Sequence, residues 1–478
     1  MADIYIVYTS VDRDVARRLH DALKTRWTVW WDEQLVGSYP QYIEAEMPKT
    51  KCVVYVNSAT AREKDTIVGE LEIARQQKKP IIPVLTDDTT APYPLGTYST
   101  ATLGAWTGDQ SVEGWKQLVT KISQVVSPRK KPVRPDTILD DRLRLPGLFM
   151  SVSSHETQLS PEDAISVAAA FRYPNILLSA YDWDPSRLPK AGTERARRVT
   201  EDRASALAAL RAAGSLVLMD SGNYEASRRD DGDWTPELFA AALARAPHDL
   251  ACSFDVMNPS HDPNAAFDEI VAGVHRDRAF TSAPIVPIAH APRLDAGGHE
   301  LEHFPVLLRD LASELRPPLL AIPERELGPG LICRIKAMVR IRAALDTLPF
   351  YQPVHLLGTG NPWSIVTLTA AGADSFDGLE WCRVVVDRAN HRLNHFQHFD
   401  FFIEQSMNSP YDVTQAAVRS DDIHFAGKTA FHNLDYYAEI AALLQDACRR
   451  KALEALVTSL LHQANTRQLT HAVPELFQ

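Results

Sequence analysis

Short apolar runs alternate with helical segments along almost the whole chain, and this alternation limits the possible folds more than any other feature. Before residue 100 the segments between the runs place apolar residues at helical spacing, and the runs lie at residues 4–8, 27–31, 53–58 and 81–85. Short apolar strands joined by helices are typical of parallel sheets, because a parallel connection needs a crossover segment. We therefore predict a doubly wound parallel α/β sheet for residues 1–127.

The pattern starts again after a proline-rich basic stretch at residues 128–137. Eight further apolar runs follow, at residues 148–152, 175–179, 216–220, 250–255, 285–288, 319–322, 354–357 and 375–377. Eight strand–helix repeats over about 250 residues predict a (β/α)8 barrel, or TIM barrel, whose functional residues lie at the carboxyl ends of the strands. We assign residues 128–142 to a linker, 143–430 to the barrel and 431–478 to a carboxy-terminal helical segment.

The linker and the carboxy-terminal segment each carry a further expectation. Prolines without apolar periodicity predict a semi-extended tether, with the four basic residues of 128–137 in solvent. Residues 430–462 place leucines at helical spacing, which predicts one long helix packed on the barrel or on another subunit.

Charge, cysteine content and hydropathy exclude several function classes. Residues 128–478 hold 36 Lys and Arg against 45 Asp and Glu, which disfavours a large sequence-independent grip on nucleic acid but leaves a local basic groove open. The five cysteines are scattered, so we expect neither a disulfide framework nor a cysteine-built metal site. No apolar run approaches the ~20 residues of a membrane span, and we expect a cytoplasmic protein without membrane contact.

Three polar motifs follow strands of the first domain in order. They are Tyr8-Thr9-Ser10-Val11-Asp12, then Trp30-Trp31-Asp32 followed by Gly37 and Ile43, and finally Asn57-Ser58 before a helix that contains Glu70-Leu71. Their order and spacing resemble a TIR domain of the bacterial type, with its flavodoxin-like sheet, over residues 1 to about 127. The resemblance implies cleavage of NAD+, with Glu70 at the position of the essential glutamate. It also implies an NAD+ pocket near Tyr8, Thr9, Ser10, Trp31, Asp32 and Ser58.

A carboxylate suits this chemistry. Breaking the nicotinamide–ribose bond develops positive charge on the ribose, which a fixed carboxylate stabilises. The residue pattern alone leaves Glu72 open as an alternative, since with Ile67, Val68, Leu71 and Ala74 facing the core the two glutamates flank the apolar stripe on opposite sides. A solvated helix carboxylate is the plainer interpretation of either residue.

The segment from Asp32 to Ser38 matches the TIR segment that gates the site and mediates packing between TIR domains. The resemblance therefore implies self-association as a switch for activity. The alternatives are that the segment is an ordinary exposed loop and that Trp30 and Trp31 belong to the core.

The barrel carries a second ordered set of motifs. In chain order they are Leu148–Val152 with Gln158–Asp163, Asp220-Ser221-Gly222-Asn223-Tyr224-Glu225, Phe254-Asp255, Leu356–Pro362 with Gly358 and Gly360, Asp374–Asp377 followed by Arg383, and His432-Asn433-Leu434. The set resembles tRNA-guanine transglycosylases over about residues 140–460. The resemblance implies Asp377 as the nucleophile at ribose C1′, Asp220 as its acid/base partner and Asp255 as the reader of a purine-like base. These aspartates must then meet at one rim of the barrel.

The barrel also departs from this family. Asn223 and Glu225 replace a glycine and a glutamine of the aspartate motif, and the bulky charged segment Ile322–Pro329 replaces a glycine-rich one. No cluster of cysteines accompanies His391, His395, His398 or His432, so we expect no bound metal. These departures favour a pocket that binds its ligand without turning it over.

Three hypotheses follow. In the first, a TIR NAD+ glycohydrolase is controlled by the barrel, which senses an activator such as a nucleobase, a nucleotide, a nucleic acid or a phage protein, and NAD+ depletion serves anti-phage defence. In the second, the barrel exchanges bases in a nucleic acid and the TIR domain assembles it. In the third, both sites are inactive and the chain is a scaffold.

Overall fold

The computed structural model describes residues 2–31, 43, 47–92, 95, 100–127, 131–155, 157–188 and 192–477. The chain divides into two compact units, Met1–Pro132 and Val133–Gln478. No helix within these described ranges is long and apolar enough to cross a membrane.

The first unit is built on a five-stranded parallel sheet. Its strands in chain order are β1 (Ile4–Val7), β2 (Val29–Trp30), β3 (Cys52–Asn57), β4 (Ile81–Leu85) and β5 (Ala101–Thr102), and they lie in the spatial order β2-β1-β3-β4-β5. The described helices are α1 (Arg13–Leu23), α2 (Ala59–Arg62), α3 (Asp65–Gln76) and α4 (Glu113–Val125). The predicted doubly wound sheet is confirmed.

Alternation along the strands gives this sheet two apolar faces, because successive strand residues point to opposite sides. On one face Ile4 and Ile6 pack in a cluster with Leu19 of α1 and Leu118 of α4. On the other face Tyr5 joins a cluster that contains residues of α3. The sheet therefore separates two cores, and α3 lies on the Tyr5 face.

The second unit is an eight-stranded parallel barrel. Its strands are β8 (Gly147–Val152), β9 (Asn175–Ser179), β10 (Leu216–Asp220), β11 (Leu250–Cys252), β12 (Ile285–Val286), β13 (Leu320–Pro323), β14 (Val354–Leu357) and β15 (Ser375–Gly378). A hairpin of β6 (Thr137–Ile138) and β7 (Leu143–Arg144) precedes them, and the hairpin β16 (Val384–Asp387) and β17 (Arg392–His395) follows. An isolated bridge between Ile288 and Ala321 joins the two ends of the eight-stranded sheet, so the predicted (β/α)8 barrel is confirmed.

Helices surround the barrel and complete its outer core. They are α5 (Pro161–Phe171), α6 (Glu194–Ala212), α7 (Asn223–Arg228), α8 (Pro236–Arg245), α9 (Pro263–Asp277), α10 (Phe304–Leu315), α11 (Leu331–Leu345), α12 (Pro362–Ala370), α13 (Ile403–Met407), α14 (Asp412–Arg419), α15 (Phe425–Arg450) and α16 (Leu453–Ala472). Inside the barrel, residues such as Phe149, Leu218 and Val286 form a separate apolar cluster with Leu143 and Leu145. The interior is therefore packed below the ligand end.

Two local expectations were wrong. Arg134 is not a solvated linker residue, since its side chain is only 16% exposed and its Nε lies 2.6 Å from Oδ1 of the fully buried Asp374. The predicted single helix over 430–462 is two helices, because Lys451 adopts a left-handed conformation (φ 55°) that ends α15 and starts a turn. Both helices contribute residues to the barrel's apolar cluster, for example Leu444 and Leu460.

Candidate functional site

Glu70 is buried in the first unit, at the place where α3 faces the sheet. Its side chain belongs to the inward stripe of α3, since Ile67 and Leu71 are buried on the same face. The Tyr5 hydroxyl donates a hydrogen bond of 2.6 Å to Glu70 Oε2, and Glu70 is 2% exposed. A buried carboxylate held by a hydroxyl has a fixed direction, as electrostatic stabilisation of a cationic transition state requires.

Glu72 lies on the opposite, solvent side of α3. Its side chain is 53% exposed and lies 3.5 Å from the Arg75 guanidinium. Val68, which the sequence places in the apolar stripe, is 55% exposed, so that expectation was wrong. The buried stripe keeps Ile67, Leu71 and Ala74 and contains Glu70 in place of Val68, and this difference separates the two glutamates.

The residues at the carboxyl ends of β1 and β3 form one hydrogen-bonded group around Asp12. Thr9 Oγ1 donates to Asp12 Oδ2 at 2.6 Å, and Ser58 Oγ donates to the same oxygen at 2.8 Å. Ser10 is exposed beside them. Carboxyl ends of adjacent parallel strands are where doubly wound folds bind ligands, and the hydroxyls at this edge are already fixed.

Trp31 packs as a core residue. Its ring stacks on His20 at 5.5 Å and lies 5.6 Å from the Tyr8 ring, and it belongs to the apolar cluster that contains α1. The whole segment from Asp32 to Ser38, with Gly37, lies outside the described residues. The plainer interpretation of Trp31 as a core side chain fits this packing.

A cavity of about 230 Å³ opens at the carboxyl ends of the barrel strands. It is lined by the predicted residues Asp220, Asp255, Asp377, Gly358 and Arg383. The predicted Gly360 lines a smaller neighbouring cavity, and its carbonyl accepts a hydrogen bond from the Tyr437 hydroxyl. The three aspartates that follow different strands of the sequence therefore converge on one cavity.

Asp377 is held at both carboxylate oxygens. The Ser151 hydroxyl donates to Oδ2 at 2.6 Å, and the Gly358 backbone amide donates to Oδ1 at 2.9 Å. His355 Nε2 lies 3.4 Å from Oδ1. The positive φ of Gly358 (73°) turns the backbone after β14 so that its amide reaches the carboxylate.

Asp220 is buried among other carboxyl groups of the cavity. Burial, together with the negative charges of Glu225, Asp255 and Asp377, raises the pKa of Asp220 well above its usual range. A raised pKa favours the protonated carboxyl, which is the form that a proton-donating group needs in the same cavity as a carboxylate nucleophile. The two residues can divide these roles.

Asp255 is fixed by two side chains that also line or adjoin the cavity. Asn223 Nδ2 donates to Asp255 Oδ1 at 2.7 Å, and His290 Nε2 lies 2.7 Å from Oδ2. The other ring nitrogen of His290 lies 2.8 Å from Glu326 Oε1. Although burial favours its neutral form, the bonds and charge of His290 hold the pKa of Asp255 below its usual range.

Further carboxyl groups give the cavity wall a strongly acidic character. Burial and the charge of Asp182 raise the pKa of Glu225 to about 7, and Ser179 donates to its carboxylate. Burial and the charge of Asp377 raise the pKa of Glu380 to about 6. At the mouth, the ring of Tyr224 lies within 5.9 Å of the Arg325 guanidinium. The cavity lining therefore combines a cationic and an aromatic side chain with the carboxyl groups.

The late histidine–asparagine motif supports the segment that follows β15. Asn433 Nδ2 donates to the carbonyls of Trp381 and Val384, and Asn433 Oδ1 accepts from the Val386 amide. His432 is fully buried, with its ring nitrogens at hydrogen-bond distance from Ser406 and the Val386 carbonyl. Both side chains therefore fix the segment that follows β15.

Comparison with known proteins agrees with this geometry. Residues 4–119 match the family model of the TIR domain. The first unit's resemblance is confirmed. Over 170 residues the chain is 27% identical to a tRNA-guanine(15) transglycosylase of Methanopyrus kandleri, a match that covers 35% of this chain and 36% of that protein. The chain therefore matches about a third of that relative's length, and the pairing of a TIR domain with a transglycosylase-like barrel agrees with the sequence prediction.

The departures from the transglycosylase pattern form part of the pocket. Asn223, in place of a glycine, binds Asp255, and Glu326 of the altered segment Ile322–Pro329 binds His290. Sequence reasoning missed His290 and Glu326 as pocket residues. A signal for His290 was available, because it is a polar residue directly beyond the apolar run 285–288, at the carboxyl end of a barrel strand.

Proposed function

We propose that this protein is an NAD+ glycohydrolase whose TIR domain cleaves the nicotinamide–ribose bond and whose transglycosylase-like barrel controls that activity by binding a ligand. Cleavage depletes NAD+ in the cytoplasm, as an anti-phage defence. Self-association through TIR domains accompanies activation. TIR domains include NAD-cleaving enzymes, and this membership is the starting point of the proposal.

The observation that supports the proposal most is the buried carboxylate of Glu70. A carboxylate inside the fold, 2% exposed and bound by the Tyr5 hydroxyl, is costly to bury unless it is used or fully satisfied. During cleavage the ribose gains positive charge at C1′, and Glu70 stabilises it electrostatically. Nicotinamide leaves as a neutral molecule, so no general acid is needed.

The barrel cavity supports a sensing role for the second unit. Its volume of about 230 Å³ and its wall of fixed carboxylates suit a small ligand with N–H donors, such as a nucleobase or a nucleoside. Ligand binding at this cavity is the proposed trigger. The activator belongs to the class of nucleobases, nucleotides, nucleic-acid ends or phage proteins that expose such a group.

The test compares two glutamates of the same helix. Purified protein with Glu70→Gln is assayed for nicotinamide release from NAD+, with and without phage-infected cell extract, and Glu72→Gln is the matched control because Glu72 is exposed. We expect Glu70→Gln to lower the rate by a factor of about 100 to 1,000, the range for removing one electrostatic stabiliser, and Glu72→Gln to keep the wild-type rate. Equal rates in the two variants would contradict the proposal.

A second candidate function is base exchange by the barrel. The observation that favours it is that Asp377, held by Ser151 and Gly358, lines the same cavity as Asp220, whose pKa is raised by burial and by neighbouring carboxylates. In this reaction Asp377 attacks ribose C1′ and displaces the base, Asp220 handles the proton, and an incoming base displaces Asp377. Incorporation of labelled guanine into tRNA by the wild type, lost in Asp377→Asn, would establish it in place of pure sensing.

A further inference from the structure

Asp255, His290 and Glu326 form a continuous buried chain on one wall of the barrel cavity. His290 Nε2 lies 2.7 Å from Asp255 Oδ2, and His290 Nδ1 lies 2.8 Å from Glu326 Oε1. Glu326 is itself fixed, since its Oε2 accepts a hydrogen bond from the Ala291 amide at 3.0 Å. The three side chains are each at most 5% exposed. We refer to these three residues as the Asp255 clamp.

The imidazole of the clamp is in contact with a carboxylate at each ring nitrogen. Two acceptors require two N–H donors, and only the imidazolium supplies both. Although burial opposes the charge, the hydrogen bonds that the ring donates to both carboxylates raise the pKa of His290 to about 9. His299 also interacts with His290 electrostatically and opposes its charge, and the two carboxylates outweigh this effect.

The clamp leaves part of Asp255 for a ligand. A carboxylate offers about four acceptor positions, and here Asn223 occupies one on Oδ1, His290 occupies one on Oδ2 and the Ser221 side chain occupies a third. The remaining positions belong to a carboxylate that lines the cavity. A ligand group that meets Asp255 must therefore donate hydrogen bonds, because a second acceptor at this place would face an ionised carboxylate.

We propose that His290, held in place by Glu326, is a positioning residue that keeps Asp255 ionised and correctly turned, and thereby restricts the cavity to ligands that present N–H donors. This inference rests on the proposed function, in which the barrel binds a base-like ligand. It adds His290 and Glu326, which the family resemblance does not include, and the requirement that a ligand donate hydrogen bonds to Asp255. A neutral clamp would accept both donor and acceptor edges.

The first test measures the clamp without any ligand. Full-length protein labelled with 13C-histidine is titrated by NMR, and the His290 signal is identified as the one missing from His290→Gln. We expect it to stay at the position of a protonated ring beyond pH 8, well above the unperturbed value of about 6.5, and we expect Glu326→Gln to lower its midpoint. A His290 signal that titrates near pH 6.5 in the wild type would overturn the proposal.

The second test measures specificity with two purines. Binding of guanine and of hypoxanthine, which lacks the exocyclic amine of guanine, is measured by calorimetry at about pH 5.5 and about pH 7.5. We expect the wild type to prefer guanine at both pH values. In His290→Gln we expect guanine affinity to fall about tenfold at the higher pH, as for loss of a charge-assisted bond, and further at the lower pH, where the unsupported Asp255 takes up a proton.

The control is His303→Gln, because His303 is an exposed histidine of the same unit. The positioning role is refuted if His290→Gln and His303→Gln show the same affinity and the same pH profile. If the wild type binds neither purine, the base-like ligand of the proposed function and the specificity rule both fail. The NMR titration then still decides whether the charged clamp exists.

Discussion

Replacement of Arg134 by methionine tests the anchoring of the chain just before the barrel. The Arg134 guanidinium lies 2.6 Å from Asp374 Oδ1, and its Nη2 donates to the carbonyls of Thr369 and Ala373. Methionine keeps much of the apolar stem and removes these bonds. Asp374, which is fully buried, then loses its nearest cation.

The expected loss follows from what remains around Asp374. Breaking a buried ion pair by removing one partner costs roughly 3–5 kcal/mol. The Tyr351 hydroxyl and the Val354 amide still donate to the carboxylate, and Arg342 Nη1 lies 3.7 Å from it. We therefore expect the lower end of that range, about 3 kcal/mol in the free energy of unfolding of the second unit.

The assay is pulse proteolysis across a urea series, which reports the folded fraction of each unit of the full chain. Asp374→Asn and the double variant complete a double-mutant cycle, in which the double variant should lose less than the two single losses added together. Arg198→Met is the control, because the Arg198–Glu194 pair is exposed, and it should change stability by less than about 1 kcal/mol. A loss below about 1 kcal/mol for Arg134→Met would refute the reasoning, because it would show that Arg134 contributes no more to stability than an exposed linker residue.

Three further predictions use matched substitutions. Tyr5→Phe removes the hydroxyl that binds Glu70 and should lower the rate of NAD+ cleavage about tenfold. Its control is Tyr55→Phe, because the buried Tyr55 hydroxyl has no hydrogen-bond partner among the described residues, and this variant should keep the wild-type rate in the same assay. Gly222→Ala should lower the free energy of unfolding of the second unit by about 2 kcal/mol or more in urea titrations, because φ is 80° and a Cβ would lie 2.6 Å from the Tyr181 nitrogen. Gly232→Ala is the control, since its Cβ would meet open space, and it should leave this free energy unchanged. The pKa of Glu225 in the folded state, about 7, exceeds its unfolded value, so the free energy of unfolding should fall as pH rises from about 4.5 to 7. Urea midpoints measured across this pH range should show a smaller pH dependence in Glu225→Gln than in the wild type.

The fold could be predicted from the sequence because its signal is local. Each barrel strand is a short apolar run, and the parallel pairing follows from the helices between the runs. The break at Lys451 could not be predicted, since a lysine in the left-handed conformation has no distinctive sequence signal. The same holds for Arg134, whose partner Asp374 is 240 residues away in the chain.

The candidate site was predictable where the resemblance supplied motifs and not where the pocket departs from them. Asp220, Asp255 and Asp377 follow strands in the sequence, and they line one cavity in the structure. The contact between His290 and Glu326 depends on the geometry of two strand ends that meet only when the barrel closes. The residue pattern could not separate Glu70 from Glu72, because it assigned the exposed Val68 to the buried face of the helix.

The junction between β12 and β13 gives the clamp a mechanical consequence. Here the barrel closes through the single bridge of Ile288 and Ala321, and Glu326 continues the connection beyond it by binding His290 and the Ala291 amide. The Glu326 side chain thus supplies contacts between these two strand ends where backbone pairing has stopped. The strand pair with the fewest described backbone pairings and the cavity wall that orients Asp255 therefore share His290 and Glu326. We expect a ligand that binds Asp255 to stabilise this junction as well, and slower amide hydrogen exchange at Ala289 and Ala321 would show it.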